Sequence, residues 1–199
     1  MESIVYALLI LTSVIGLAFI IERGLALRWR RVVPPEIEAA VQSCQTPEDV
    51  PMLRRVCEQH PSPMSRLLLL AADHLDWPSA ETSNLLQTRA RHEIVRLERG
   101  LVVLEIIVGI APLLGLVGTI VGMISVFGDV GKKGLENAAM LAQGISLILW
   151  ATLIGLLIAI PSLVFWSYYS KKVENCAVEM ENLCDGFIRR VYRETADKG

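Results

Sequence analysis

The sequence predicts an all-α integral membrane protein with three transmembrane helices, of which helices 2 and 3 extend into the cytoplasm. Hydrophobic residues make up 53% of the 199-residue chain and charged residues only 20%, and the mean hydropathy of +0.47 is high for a soluble domain. Residues 3–21, 106–128 and 137–170 contain no charged side chain. Each segment is long enough to cross a hydrocarbon core, which takes about 20 helical residues.

Residues 1–31 are predicted to form transmembrane helix 1 and its basic flank. A secretory signal peptide begins with positive charge, whereas this segment begins with Met1 and Glu2 and ends in Arg23, Arg28, Arg30 and Arg31. The positive-inside rule places those arginines in the cytoplasm, together with the arginines before helix 2 and the lysines after helix 3. We therefore expect a multi-pass protein with its N-terminus outside and its C-terminus inside the cytoplasm.

Residues 32–98 are predicted to form a helical cytoplasmic region in which prolines separate short helices. The last of these helices is expected to start after Ser79 as N-cap and to run without interruption into the membrane. The region contains neither a phosphate-binding loop nor a nucleophile beside a base, so we expect no enzyme and no cofactor.

Metal and nucleic-acid binding are also not expected. Cys57 and His60 are three residues apart, but no second close pair completes a metal site, and the four cysteines lie on the predicted reducing side. The net charge of −2, without a basic stripe outside the membrane flanks, gives no reason to propose nucleic acid as a partner.

The second half of the chain is divided into transmembrane helix 2 (99–128), a short periplasmic loop (129–136), transmembrane helix 3 (137–170) and a cytoplasmic C-terminal helix (171–199). The uncharged run at 137–170 would be about 51 Å long as a helix, against a hydrocarbon core of about 30 Å. Helix 3 should therefore project beyond the lipid. An apolar stripe from Val173 to Val191 predicts that the helix continues and faces a partner or the chain's own cytoplasmic helices.

Small residues recur on one face of each of the last two membrane helices. In lipid such residues permit close backbone contact between helices, and packing alone explains them. The predicted packing residues are Gly115, Gly118 and Gly122 in helix 2 and Ala151, Gly155 and Ala159 in helix 3.

Glu105, Pro112 and Thr119 are seven residues apart each time and form a polar stripe along helix 2. Singly, each has a structural explanation, since Glu105 can reach the cytoplasmic surface and a threonine can bond to its own helix. Residue counting from the charged flanks, however, places Thr119 and Thr152 at nearly the same depth. Hydroxyl groups at one depth can bind water or a titrating carboxyl group in a pore.

Two segments carry a family resemblance, "APLLGLVGTIVGM" in helix 2 and "LAQGISLILWATLIGLLIAIPSL" in helix 3. They resemble the Ala-Pro-x-x-Gly-Leu-x-Gly-Thr and Gly-Ile-Ser/Ala…Ala-Thr-x-x-Gly-Leu…Ala-Ile-Pro patterns of the MotA/TolQ/ExbB proton channel family, and more closely its ExbB/TolQ branch. The resemblance is strong from Ala111 to Pro161. A MotA-type stator would have four membrane helices, which argues against that branch.

The resemblance implies a homopentamer in the bacterial inner membrane around the single helices of an ExbD/TolR-type partner. Proton-motive force would then drive an outer-membrane process such as import, and a TonB- or TolA-type protein is a further candidate partner. Thr119 and Thr152 would line the pore, while the essential aspartate belongs to the partner.

Leu147 departs from the pattern, because the family commonly has glutamate there. We expect Glu105, Ser146 or the partner to compensate. Glu105 and Ser146, together with Pro112 of the polar stripe, are therefore the further pore-lining candidates. The alternative is a non-conducting membrane scaffold that assembles partner subunits. A small-molecule transporter is disfavoured, because three helices without inverted repeats offer little material for a substrate cavity.

Overall fold

The computed structural model describes residues 2–133 and 138–197, and all its regular elements in those ranges are helical. The helices are α1 (Glu2–Ala26), α2 (Trp29–Val32), α3 (Pro35–Ser43), α4 (Val50–Gln59), α5 (Pro63–Asp73), α6 (Ser79–Glu98), α7 (Leu101–Lys133) and α8 (Ala138–Asp197), with a 3₁₀ turn at Pro47–Asp49.

Three helical segments are long and apolar enough to cross a membrane, namely Ser3–Ala26, Leu101–Gly128 and Gly144–Val191. They lie in the same three regions that the uncharged runs of the sequence predicted. The chain divides into two compact units: unit 1 comprises residues 1–23 and 100–168, and unit 2 comprises residues 24–99 and 169–199.

Unit 1 exposes large apolar side chains along its three helices. Leu11, Leu113 and Leu157 are each more than half exposed. In water such a surface would be strongly unfavourable, whereas lipid or a neighbouring membrane helix would accept it.

Unit 2 contains the short helices that the prolines predicted. Pro35 and Pro63 occupy the first helical positions of α3 and α5, where the absence of an N–H costs nothing. The Ser62 hydroxyl caps α5 by accepting a 3.0 Å hydrogen bond from the Ser65 N–H. The starts of α3 and α5 therefore each have a local chemical cause.

The apolar stripe of α8 packs against the helices of unit 2 itself. Cys176, Met180 and Phe187 are fully buried, and they belong to one hydrophobic core with residues of α3 to α6 such as Leu53 and Leu67. The sequence left open whether this stripe meets a partner or the chain's own helices, and the structure shows the latter.

The expected uninterrupted helix from Ser79 into the membrane is wrong in two details. Pro78 is the N-cap and Ser79 the first helical residue of α6. The hydrogen-bonded helix then stops at Glu98, and α7 starts at Leu101. Glycine is a poor helix former, and the Arg23 side chain fills the space where a Cβ of Gly100 would lie.

The ends of the last two helices also differ from the predicted boundaries. Helix α7 continues to Lys133 and so includes residues 129–133, which the sequence assigned to the periplasmic loop. In residues 129–133 the one glycine, Gly131, weakens the helix only modestly, and there is no proline to end it. Residues 134–137, which include the rest of that loop and the predicted start of helix 3 at Asn137, lie outside the described ranges. Helix α8 runs unbroken through Pro161 to Asp197.

Candidate functional site

Helices α7 and α8 meet at backbone distance inside unit 1. A Cβ added to Gly155 would lie 2.6 Å from the carbonyl oxygen of Ala111, and one added to Gly115 would lie 2.9 Å from the carbonyl oxygen of Ala151. Real Cβ contacts essentially never fall below 3.0 Å. Only glycine therefore fits at these two positions without moving a backbone.

The remaining predicted packing residues lie along the same helix pair. A Cβ at Gly118 would meet Ala151 Cβ at 2.8 Å, and one at Gly122 would meet Ile148 Cγ1 at 2.6 Å. Ala151 and Ala159 are both buried, and Ala159 packs with Ala111. Small residues thus recur along the contact between the two helices, and at Gly122 the space is taken by Ile148.

Thr119 and Thr152 lie at the centre of this contact. Their hydroxyl oxygens are hydrogen-bonded to each other, and each also lies 3.2 Å from the carbonyl oxygen of Gly115. Both threonines are only partly buried. The two residues that the sequence placed at one depth therefore form one cluster of three oxygens, although their pore-lining role remains a prediction.

The cluster forms because of the local backbone. A threonine in a helix commonly bonds to the carbonyl four residues earlier, which for Thr119 is Gly115. Since Gly115 has no side chain, Thr152 of α8 approaches the same carbonyl from the other helix. Sequence reasoning assigned Gly115 a packing role alone and missed its carbonyl as an acceptor, although the four-residue spacing to Thr119 was the available signal.

The other predicted pore residues are not in this cluster. Pro112 is partly buried within α7, two turns before Thr119. Glu105 is exposed and lies 14 residues from Thr119, about 21 Å along the helix. Ser146 is exposed and lies six residues, about 9 Å, before Thr152. Neither Glu105 nor Ser146 can therefore bond directly to the threonine pair in this arrangement.

A separate charged cluster lies in unit 2. The Glu93 side chain is only 1% exposed, and its carboxylate accepts hydrogen bonds from Arg66 Nε at 3.1 Å and Arg66 Nη2 at 2.5 Å. Arg96 and Arg89 lie 3.4 and 3.8 Å away. Burial alone would raise the pKa of Glu93, but the bonds and charge of Arg66, helped by Arg96 and Arg89, outweigh it and hold the pKa below its usual range.

The cysteines of the described residues are free thiols within the core of unit 2. Burial raises the pKa of Cys57 to about 11, so its thiol is protonated at neutral pH. Within residues 2–133 and 138–197, no group of three or more His, Cys, Asp or Glu side chains could hold a metal ion.

The sequence of this chain matches a known protein family and several of its members. Residues 59–182 match the model of the MotA/TolQ/ExbB proton channel family. The chain is 34% identical over 165 residues to a putative biopolymer transport protein ExbB-like 1 of Synechocystis sp., covering 78% of this chain and 63% of the relative. It is 33% identical over 85 residues to the biopolymer transport protein ExbB of Aquifex aeolicus, covering 43% of this chain and 57% of that one.

A second Synechocystis relative, a putative biopolymer transport protein ExbB-like 3, is 29% identical over 194 residues, covering 94% of this chain and 89% of the relative. The chain spans about three fifths of the length of the first two relatives. The family match covers well over half of the chain and contains both glycine-rich segments with Thr119 and Thr152. The chain is therefore a member of the MotA/TolQ/ExbB proton channel family.

Proposed function

We propose that this protein is the proton-channel subunit of an ExbB/TolQ-type complex that uses proton-motive force to drive an outer-membrane process such as import. The single observation that carries this proposal is the Thr119–Thr152–Gly115 oxygen cluster. It is a polar site on two predominantly apolar membrane helices. Polar groups at such depth are costly and are typical of ion pathways.

The proposal requires an acidic group from another chain. Residues 106–128 and 137–170 contain no Asp or Glu, so the two helices that hold the threonines supply no carboxylate near them. An ExbD/TolR-type membrane protein, with one helix bearing an aspartate, would fill this need. The large exposed apolar surface of unit 1 supports burial against other helices and lipid.

The proposed assembly is a homopentamer in the bacterial inner membrane, with the partner helices in its centre. The N-terminus would be periplasmic. The parts of helices 2 and 3 that extend beyond the membrane, and all of unit 2, would be cytoplasmic. The arginines that flank the apolar segments support this orientation through the positive-inside rule. A TonB- or TolA-type protein is proposed as the component that transmits motion.

A non-conducting scaffold is the alternative function, and Leu147 favours it. Leucine cannot bind a proton or donate a hydrogen bond. The glutamate side chain that the family commonly has at this position is therefore missing from helix α8. On this alternative the glycine contacts would serve assembly alone.

Proton flux through the reconstituted complex separates the two functions. The complex would be purified from membranes with its co-isolated partners, inserted into liposomes, and given an inside-negative potential with a pH-sensitive dye inside. A channel acidifies the interior more rapidly than empty liposomes do. A scaffold leaves the rate equal to that of empty liposomes, and this result would reject the proposed function.

A further inference from the structure

The threonine pair has fewer protons than hydrogen-bond contacts. Three contacts join Thr119 Oγ1, Thr152 Oγ1 and the Gly115 carbonyl oxygen, and each hydroxyl has one proton to donate. The Gly115 carbonyl already accepts the N–H of Thr119 in the α-helix, which leaves one further lone pair. Only two arrangements therefore keep a proton between the hydroxyl oxygens and also a hydroxyl hydrogen bond to the Gly115 carbonyl.

In the first arrangement Thr119 donates to Gly115 and Thr152 donates to Thr119. In the second, Thr152 donates to Gly115 and Thr119 donates to Thr152. Both arrangements commit both protons inside the cluster. A third, with both hydroxyls donating to Gly115, would leave two oxygens in contact with no proton between them and is unfavourable.

The consequence concerns what the cluster offers to a molecule outside it. In each arrangement one hydroxyl oxygen keeps both lone pairs free, whereas neither hydroxyl has a proton to give. A protonated carboxyl group or a water molecule can donate to that oxygen. A carboxylate needs a donor, and it could obtain one only by breaking a bond within the cluster.

We propose that the Thr119–Thr152 pair is a hydrogen-bond acceptor site that binds the protonated form of a partner's membrane carboxyl group in preference to its carboxylate form. The proposal rests on the proposed function, because it takes the ligand to be the carboxyl group of a helix in the pore. It adds the direction of the hydrogen bond and the protonation state that the site selects.

The charged and titratable groups of unit 1 do not oppose this selectivity. Helix α7 carries Glu105, about 21 Å along the helix from Thr119, and Asp129, Lys132 and Lys133, about 15 to 21 Å from it in the other direction by residue count. Helix α8 has no charged residue from 138 to 170. Helix α1, which approaches Gly118 of α7 through Val5, carries Glu2 and Tyr6 within a turn of Val5 and Glu22 and Arg23 about four turns beyond Tyr6. None of these groups supplies a positive charge at the threonines that would favour a carboxylate.

The test measures the protonation midpoint of the partner carboxyl group in the intact complex. Dicyclohexylcarbodiimide reacts with protonated carboxyl groups, and mass spectrometry of the partner peptide gives the labelled fraction at each pH. The T119V/T152V variant removes the acceptors while keeping side-chain shape. We expect its midpoint to fall by about one pH unit, the effect of losing one hydrogen bond to the neutral form.

The sign of the shift makes the result decisive. Two valines make the site more apolar, which alone would raise the midpoint because burial disfavours a charged carboxylate. A lower midpoint therefore cannot come from apolarity. If the partner carboxyl group is labelled but its midpoint in T119V/T152V is unchanged or higher, the inference is overturned and the proposed function stands. If no carboxyl group of the partner is labelled at any pH, the inference and the proposed function are both overturned.

Two further measurements keep the test independent of how well the double variant assembles. T119S/T152S retains both hydroxyls and should keep the wild-type midpoint. In the wild-type complex, the infrared C=O stretch of the protonated carboxyl group should lie at the lower frequency of a hydrogen-bond donor. The frequency of a carboxyl group that donates no hydrogen bond would contradict the proposal.

Discussion

Replacing Gly155 by alanine tests whether the close approach of α7 and α8 builds the threonine cluster. The new Cβ would lie 2.6 Å from the Ala111 carbonyl oxygen, 3.2 Å from Gly115 Cα and 3.3 Å from Gly115 N. All three are backbone atoms, so no side chain can rotate out of the way. The helices must separate by at least about 0.4 Å to bring the first contact to 3.0 Å.

This small movement is enough to break one of the three contacts of the cluster, the hydrogen bond from Thr152 to Gly115. An equal displacement would lengthen the 3.2 Å bond from Thr152 to the Gly115 carbonyl to about 3.6 Å, which is beyond hydrogen-bond range. Forcing a methyl group into a packed contact typically costs about 1–3 kcal/mol. We therefore expect G155A to have a free energy of unfolding lower by about that amount than a variant that gains only the helix propensity of alanine, and to have a reduced proton flux.

The matched control is G109A on helix α7. A Cβ at Gly109 meets nothing within 4 Å, so the substitution brings only the gain in helix propensity, about 1 kcal/mol, that G155A also receives. Denaturant unfolding of the detergent-purified complexes and liposome flux would be measured for both variants. If G155A matched G109A in stability and flux, the account of the helix contact would be refuted.

The remaining predictions concern the Glu93 cluster of unit 2. At pH 7, E93Q should lower the free energy of unfolding of unit 2 by about 1–2 kcal/mol. This loss is smaller than for a fully buried ion pair, because the three arginine side chains are 41–54% exposed and water can solvate them when the carboxylate is gone. Limited proteolysis of unit 2 in the intact complex would measure the change, and equal cleavage of both proteins would contradict it. Because the pKa of Glu93 is held below its usual value of 4.5, its stabilisation is fully present above that pH and is lost as the pH falls through the lower folded value. The difference between wild type and E93Q should accordingly shrink below about pH 4.5, and a difference that persisted in strong acid would argue against the ion-pair explanation.

Much of the fold follows from composition and proline placement. Three uncharged runs predicted three apolar helices, and Pro35 and Pro63 predicted where short helices begin. These signals are local, because a proline or a run of apolar residues acts on its own segment. The break at Gly100 was not predicted, and the Arg23 side chain that fills the space beside Gly100 comes from helix α1, a contact that the sequence does not show.

The candidate site was predicted in part for the same reason. Counting residues at 1.5 Å per residue was sufficient to place Thr119 and Thr152 at one level. The sequence could not show that Gly115 offers its carbonyl to both hydroxyls, since this depends on the lateral contact between two helices. Likewise, nothing in the sequence distinguishes Glu93 from the other charged residues of its helix, and its burial beside Arg66 of α5 comes from the packing of α5 against α6.

The central claim is that the two threonine hydroxyls serve an ion pathway, and proton flux in matched liposomes tests it most directly. The wild-type complex, T119V/T152V and T12V would be compared at equal protein content. Thr12 is the control because its hydroxyl lies in the apolar segment of α1 and donates to its own helix, at 2.7 Å from the Leu8 carbonyl. We predict wild-type flux for T12V and a loss of most flux for T119V/T152V with assembly intact. Undiminished flux in an intact T119V/T152V complex would contradict the claim.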